Sequence, residues 1–214
     1  MKAHRSRLEA ARERIGDRIK PTPIDRSETL SRQLGADVHL KMELFQTTGS
    51  FKLRGAFNRL LQLSPEAAAA GVVTTSAGNH AQALAKAASD LGMAAYIFMP
   101  ETTPLVKIEA TQGYGAEVHL HGKSFEEAFE AADRFARERG KTYVHGFDDW
   151  QIVYGAGSVG LEILEALPDI DTLLCPVGGG GLVSGVALAA KSHDPSIEIV
   201  GVQSSHVPGM AESI

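Results

Sequence analysis

Lys52 lies in the run Gly49-Ser50-Phe51-Lys52-Leu53-Arg54-Gly55-Ala56, among small and apolar neighbours. A lysine in such a setting can shed its proton and attack a carbonyl carbon. Far downstream Gly178, Gly179, Gly180 and Gly181 stand in a row, and consecutive glycine N–H groups can cup a phosphate. An amine for an aldehyde and a cradle for a dianion are what pyridoxal 5'-phosphate requires of a protein. Singly, each half has a plainer reading. A lysine is usually a solvated surface charge, and a glycine run is often a flexible linker. The linker reading fits poorly here, because the run follows the apolar Thr172 to Val177 and precedes Leu182 to Ala190, a strand-like stretch and then a helix-like one. The glycine N–H groups then converge at a helix N-terminus, where the dipole favours an anion.

A second loop with chemical capacity is Ser76-Ala77-Gly78-Asn79-His80, which follows Val72 to Thr75 and opens a helix. Its N–H groups could hold a carboxylate and Asn79 could donate to a phenolic oxygen; an ordinary helix-capping loop is the bland alternative. Gly155-x-Gly157-x-x-Gly160, preceded by Trp150 to Tyr154, matches a dinucleotide fingerprint. That match is weak, since the acidic candidates Asp169 and Asp171 fall before the next strand. It keeps an NAD-dependent oxidoreductase only as a remote alternative. His119 and His121 lie on one strand face without a third ligand and read as a solvent-facing edge, so no metal is expected. Cys175 reads as a small buried apolar residue, and His145, Asp148 and Asp149 as turn and cap residues.

The elements that must position these groups follow a regular pattern. Arg5 to Ile19 reads as a charged amphipathic helix, halted by Lys20-Pro21-Thr22-Pro23, and Val38 to Glu43 alternates like a strand. Then helices over Gly55 to Leu63, His80 to Leu91, Pro104 to Tyr114 and Ser124 to Arg139 interleave with strands at Val72 to Thr75, Ala94 to Met99, Val118 to Leu120 and Thr142 to Val144. This spacing predicts α/β architecture, with parallel sheets covered on both sides. Gly71, Gly92, Gly115 and Gly140 each precede a strand, as tight turns require. Ser64-Pro65, Thr103-Pro104 and Ser124 with Glu127 read as helix starts. After the crossover from His145 to Trp150, the reading continues with a helix over Val159 to Leu167 and a strand over Ile197 to Gln203.

Composition excludes several classes. The 214 residues are 43% hydrophobic, with 22 glycines and a net charge of −5, enough for one or two cores. The mild negative charge and interleaved basic and acidic residues from Glu130 to Lys141 argue against a nucleic-acid partner. No apolar run is long enough to span a bilayer, and the first residues lead into charge rather than a signal-peptide core. A single cysteine forms no intrachain disulfide, so a reducing cytoplasm is the expected location.

The order of the pieces is familiar. Ser50-Phe51-Lys52-Leu53-Arg54-Gly55-Ala56, Ser76-Ala77-Gly78-Asn79-His80, Met99-Pro100-Glu101-Thr102 with Lys107, Tyr114-Gly115-Ala116-Glu117-Val118, Gly160-Leu161-Glu162-Ile163 and Gly178 to Leu182 together resemble the threonine/serine dehydratases among the fold type II pyridoxal-phosphate enzymes. Gly201-Val202-Gln203-Ser204 is similar to the catabolic threonine dehydratase branch. The resemblance implies a two-lobed α/β fold of the tryptophan synthase β type. Its large lobe would comprise residues 1–53 and 148–214, and its small lobe residues 54–147. It further implies that Lys52 bonds the cofactor and then removes the Cα proton, with Phe51 packed on the ring and Asn79 on its 3′-oxygen. Ser76, Ala77, Gly78, Asn79 and His80 would receive the substrate carboxylate, and Gly178, Gly179, Gly180, Gly181 and Leu182 would bind the phosphate. Related racemases carry a serine where this chain has Ala77; a methyl group has no proton to give, so elimination is favoured. The implied activity is an ammonia-lyase acting on a small hydroxy amino acid, in amino-acid degradation or isoleucine biosynthesis.

Four departures qualify the resemblance. Gly155-Ala156-Gly157-Ser158 stands where the family shows Gly-Gln-Gly-Thr, and Gly146 replaces a proline, which bears on loop packing near the domain junction. Gln203 replaces a metal-liganding glutamate, so no tightly held cation is expected there. The family's catalytic unit also runs well past Ile214, and that further part carries the partner of the pyridine nitrogen. The expectation is therefore either a short form or a chain completed by association, since unpaired strand edges invite it; a homo-oligomer, dimer or tetramer, is expected. The competing reading from another class is a module that binds the cofactor or an amino acid without turnover.

Overall fold

The computed structural model describes residues 2–214; Met1, the first residue of the charged N-terminal run, lies outside the described residues. In chain order the elements are α1 (Lys2–Ile15), a 3-10 turn (Gly16–Arg18), β1 (Ile24–Arg26), α2 (Glu28–Leu34), β2 (His39–Lys41), a second 3-10 turn (Glu43–Phe45), α3 (Lys52–Leu60), α4 (Pro65–Ala70), β3 (Val72–Thr75), α5 (Asn79–Asp90) and β4 (Ala95–Met99). They continue with α6 (Leu105–Gly113), β5 (Glu117–Leu120), α7 (Phe125–Glu138), β6 (Thr142–Tyr143), α8 (Trp150–Ala166), β7 (Thr172–Pro176), α9 (Gly181–His193), β8 (Glu198–Val202) and α10 (Gly209–Glu212).

Among the described residues three sheets result. A four-stranded sheet has the order β5-β4-β3-β6 with every pairing parallel, from Val72 opposite Ala95 to Met99 opposite Leu120. β7 pairs in parallel with β8, and β1 pairs antiparallel with β2. The central strand Val72–Thr75 is buried at all of its residues, which is why it reads as a β-branched run without alternation. Val72 faces a core shared with Leu53, Phe57, Leu84 and Ile97 of α3, α5 and β4. Val73 faces the other side, onto Ala132 and Ala136 of α7. A separate core joins α1, α8 and α9 through Leu8, Tyr154, Leu161 and Val186. No described helix is long and apolar enough to cross a membrane.

Local signals explain most boundaries. Ser64 accepts from Ala67 N–H with Pro65 following, and Ser124 accepts from Glu127 N–H at 3.2 Å. Gly71 takes a φ of +89°, and a Cβ there would lie 2.8 Å from Ala94 O, so both conformation and space demand glycine.

Several sequence expectations need correction. The first helix ends at Ile15 rather than Ile19, because Gly16 adopts φ +43° and opens the 3-10 turn. Thr103 does not cap α6: Pro104 itself holds the cap position in an extended conformation, with no side-chain bond to the helix. The helix expected from Val159 begins at Trp150, capped by Asp149, whose side chain accepts from Gln151 N–H. His119 lies on the sheet's edge strand, as expected, but it is only partly exposed, because its ring stacks on Phe98 at 4.7 Å beside Tyr96 and Phe135. Cys175 is buried, as expected, and burial raises its thiol pKa.

Candidate active site

Lys52 is the first residue of α3, and its Nζ donates to the carbonyl oxygen of Gly146 at 2.6 Å. Burial pulls its pKa down to about 8, because removing an ammonium from water disfavours the charged form. The Phe51 ring centroid lies 5.3 Å from Nζ. Lys52 therefore meets the segment after β6 across the cleft, rather than solvent.

The loop from Ser76 to Asn79 leaves the carboxyl end of β3 and enters α5. Ser76 N–H bonds Phe98 O at 3.2 Å, and its hydroxyl accepts from Gly78 N–H at 3.2 Å. Asn79 is exposed at the start of the helix, and Ala77 is half-buried. His80 points inward. Its Nε2 lies 3.2 Å from Val144 O, an acceptor, so that nitrogen carries the proton and Nδ1 is a buried acceptor without a partner. Burial first, and the Lys52 charge next, push the imidazole down to about 4, keeping it neutral. The loop can thus offer His80's backbone to a ligand while its ring braces the cleft.

The glycine run joins β7 to α9. Gly180, with φ +87°, is the N-cap, and a Cβ at Gly178 would meet nothing within 4 Å. A Cβ on Gly179 would run into the Phe147 ring, and one on Gly181 would sit 3.1 Å from Phe147 Cβ. Leu182 is half-buried against the α8–α9 core. A cavity of about 370 Å³ opens beside Gly178 and Gly179, lined also by Gln203 and Met210.

Residues 145–147 tie these parts together. Gly146 accepts from Lys52 and lies against His80, where a Cβ would be 3.3 Å from the ring, while Phe147 packs on the glycine run. His145 Nδ1 holds the turn by accepting from Asp148 N–H at 2.8 Å. Lys52, the loop from Ser76 to His80 and the glycine run therefore share one junction. Around it, Thr48 Oγ1, Ser50 Oγ, Thr75 Oγ1 and His80 Nδ1 are buried polar atoms without protein partners. Such atoms are costly unless a ligand or water meets them, and all four belong to the segments flanking Lys52 and the Ser76 loop.

Sequence reasoning missed what holds Lys52's helix. Arg54 is fully buried and donates Nε and Nη2 to Glu43, at 2.9 and 2.8 Å. It donates Nη1 and Nη2 to Glu162 at 2.5 and 2.9 Å, and Nη1 also to Ser158 Oγ at 3.1 Å. Lys41 Nζ joins at 2.5 Å from Glu162, and Thr22 Oγ1 donates to Glu43 at 2.6 Å. The available signal was a charge of each sign, Arg54 and Glu162, each set between apolar or small neighbours in a separate motif.

The dinucleotide reading is overturned. Gly155, Gly157 and Gly160 lie inside α8 rather than at a strand-to-helix turn, so their N–H groups are used within a helix. A Cβ at Gly155 would come within 2.6 Å of Arg54 O, and one at Gly160 within 2.8 Å of Ala189 Cβ. These glycines let helices approach, and the segment from Gly155 to Ser158 is helical instead of a junction loop.

A family model described as pyridoxal-phosphate dependent enzyme matches residues 15–214. The chain belongs to this family. It is 48% identical over 207 residues to the L-threonine dehydratase catabolic TdcB of Staphylococcus aureus, covering 96% of this chain and 60% of that one. The structure matches the processed form of threonine deaminase isoform 2 from Solanum lycopersicum with a TM-score of 0.93 at 39% identity, over 99% of this chain and 58% of the other. Maize serine racemase matches with a TM-score of 0.95 at 37% identity, over 98% and 64%. The chain spans 52–60% of the length of the curated relatives it matches, and it has the fold type II architecture expected, with pyridoxal phosphate as the family's cofactor.

Proposed function

We propose that this chain carries the amine-bearing part of a threonine/serine dehydratase, an ammonia-lyase that converts L-threonine to 2-oxobutyrate and ammonia, and L-serine to pyruvate and ammonia. The observation that carries the reading is Lys52: a buried amine with its pKa lowered to about 8, facing the junction that unites the glycine run and the Ser76 loop. The residues fit the cofactor. Unpartnered hydroxyls of Thr48, Ser50 and Thr75 suit a polar ligand, and Gly178 with the α9 N-terminus leaves room and positive potential for a phosphate. When bound, pyridoxal phosphate supplies the electron sink for charge developing at the substrate α-carbon.

The chain's own residues divide the work. Gly178, Gly179, Gly180, Gly181 and Leu182 would hold the phosphate, Phe51 would lie beside the ring, and Asn79 would donate to its 3′-oxygen. Ser76, Ala77, Gly78 and the backbone of Asn79 and His80 orient the substrate carboxylate at the α5 N-terminus. Lys52 Nζ removes the Cα proton, and its lowered pKa makes an unprotonated amine available near neutrality. Ala77 has no proton to return on the opposite face. Loss of the Cα proton and the β-hydroxyl therefore releases one water and an enamine, and a water molecule then hydrolyses the enamine to the 2-oxo acid and ammonia.

The same reading places a small lobe at residues 54–147 between the two parts of a large lobe, 1–53 and 148–214. The confinement of the four-stranded sheet to residues 72–143 supports it. A homo-oligomer, dimer or tetramer, in the cytoplasm is proposed from the β7–β8 pair, where Leu174 and Val202 are exposed, and from the single buried cysteine.

The alternative reading is cofactor binding without turnover. Purified chain given pyridoxal phosphate and threonine separates the two. The dehydratase reading predicts a visible absorbance band together with 2-oxobutyrate and ammonia, both lost in Lys52→Ala. A band without product supports the binding module, and product from Lys52→Ala rejects the role given to Lys52.

A further inference from the structure

Helix α3 begins at the residue that must be held most accurately, yet its N-cap Phe51 makes no side-chain cap bond. Four orphan N–H groups at a helix start normally lean on such a cap. The other end of α3 is anchored by Asn58 Nδ2 to Gln151 O at 2.6 Å and by Arg59 Nε to Asp149 at 2.8 Å. Near the first turn the polar anchor is Arg54. All five guanidinium N–H donors are used: one from Nε on Glu43, two from Nη1 on Ser158 and Glu162, and two from Nη2 on Glu43 and Glu162. Both carboxylates are gripped in fork geometry, the strongest and most directional form of such a pair. The acceptors are themselves fixed, Glu162 by Lys41 and Glu43 by Thr22. On a helix, residues two apart point roughly 200° apart, so Arg54 faces the packed side while Lys52 faces the cleft.

We propose that Arg54 is a positioning residue for Lys52. Its double fork on Glu43 and Glu162 ties the first turn of α3, which has no side-chain cap, to the 3-10 turn at Glu43 and to α8, and so fixes the Lys52 amine against Gly146 O. Lysine at position 54 keeps the charge but cannot span two carboxylates. The inference rests on Lys52 being the reactive amine, as proposed above, but it concerns where that amine lies and is read without turnover.

The test is competitive acetylation of the cofactor-free full chain by trace acetic anhydride across pH 6 to 11, with Lys52 followed by peptide mass spectrometry. The unsubstituted chain is expected to titrate at Lys52 near 8, about where burial places it. Arg54→Lys and Glu162→Gln are expected to move that midpoint upward toward an ordinary lysine, so that the neutral, labelled fraction at pH 8 falls about fivefold for the first tenfold gain in the amine's proton affinity and about tenfold for the next. Leu8→Ala, which opens the α1–α8–α9 core, provides a loss of stability without touching Arg54, and is expected to leave the midpoint in place. An unchanged midpoint in folded Arg54→Lys and Glu162→Gln overturns the proposal, as does an equal rise in Leu8→Ala. If neither Arg54→Lys nor Glu162→Gln folds, the network serves stability alone and the proposal is rejected. A midpoint near 10 in the unsubstituted chain instead contradicts the reading of Lys52 itself.

Discussion

Gly155, Gly157 and Gly160 and the run from Gly178 to Gly181 are two glycine clusters on neighbouring elements, and they serve opposite ends. In α8 the missing side chains are filled by other helices: Gly157 faces Gly185 O at 2.8 Å from a hypothetical Cβ, and Gly185 in turn faces Val153 O at 2.5 Å. Between β7 and α9 they leave a turn in which Gly178 has open space and Gly180 a left-handed conformation. Glycine spacing alone does not separate close packing from anion binding. What separates them is the element: inside a helix the N–H groups are used, and at a helix start they are offered.

That contrast is sharpened by substitution. Gly155→Ala forces α8 away from the α3 backbone and is expected to cost about 1–3 kcal/mol, lowering Tm by several degrees in a thermal melt. The folded fraction should still bind pyridoxal phosphate. Gly180→Ala places a side chain at φ +87° with Met210 Cε 2.8 Å away; about 1–2 kcal/mol of strain is expected, accompanied by weaker cofactor binding. Lys52→Met carries the comparison to a charged group, since the cleft keeps an amine that burial disfavours. With a folded pKa of about 8 against 10.5, the unfolded chain binds more protons between those values. The penalty is then present in full below pH 8 and fades as pH rises toward 10.5. Lys52→Met should therefore gain on the order of 1–2 kcal/mol at pH 7, a gain that shrinks by pH 10.5 in denaturant titrations. Gly178→Ala is the smallest change in stability, within about 0.5 kcal/mol, yet it should weaken pyridoxal phosphate binding about tenfold by fluorescence titration. Equal destabilisation by Gly178→Ala and Gly155→Ala would erase the distinction.

Much of this was legible in the sequence where signals are local. Val72 to Thr75 reads as a strand because a β-branched run is bracketed by turn residues, and the structure places it at those residues. Lys52, the Ser76 loop and the glycine run were each visible as motifs. Their meeting at one cofactor was implied by the pairing of amine and cradle and by the family resemblance, but the junction that joins them was not legible, because residues 145–147 carry no pattern of their own beyond turn chemistry. The start of α8 was misplaced because three glycines lower helix propensity, and close packing on α3 and α9 overrides that cost. The inward turn of His80 escaped because its partner is a backbone carbonyl, Val144 O, far along the chain. The Arg54 network escaped for the same reason, with Glu43 and Glu162 separated from it by 11 and 108 residues.

The central claim is that Lys52 is the amine that takes the cofactor aldehyde. Borohydride reduction of the chain loaded with pyridoxal phosphate, followed by peptide mass mapping, reads it directly. The account predicts one reduced cofactor on the peptide containing Lys52 and none in Lys52→Ala. A cofactor mass on another lysine, with Lys52 unmodified, would contradict it.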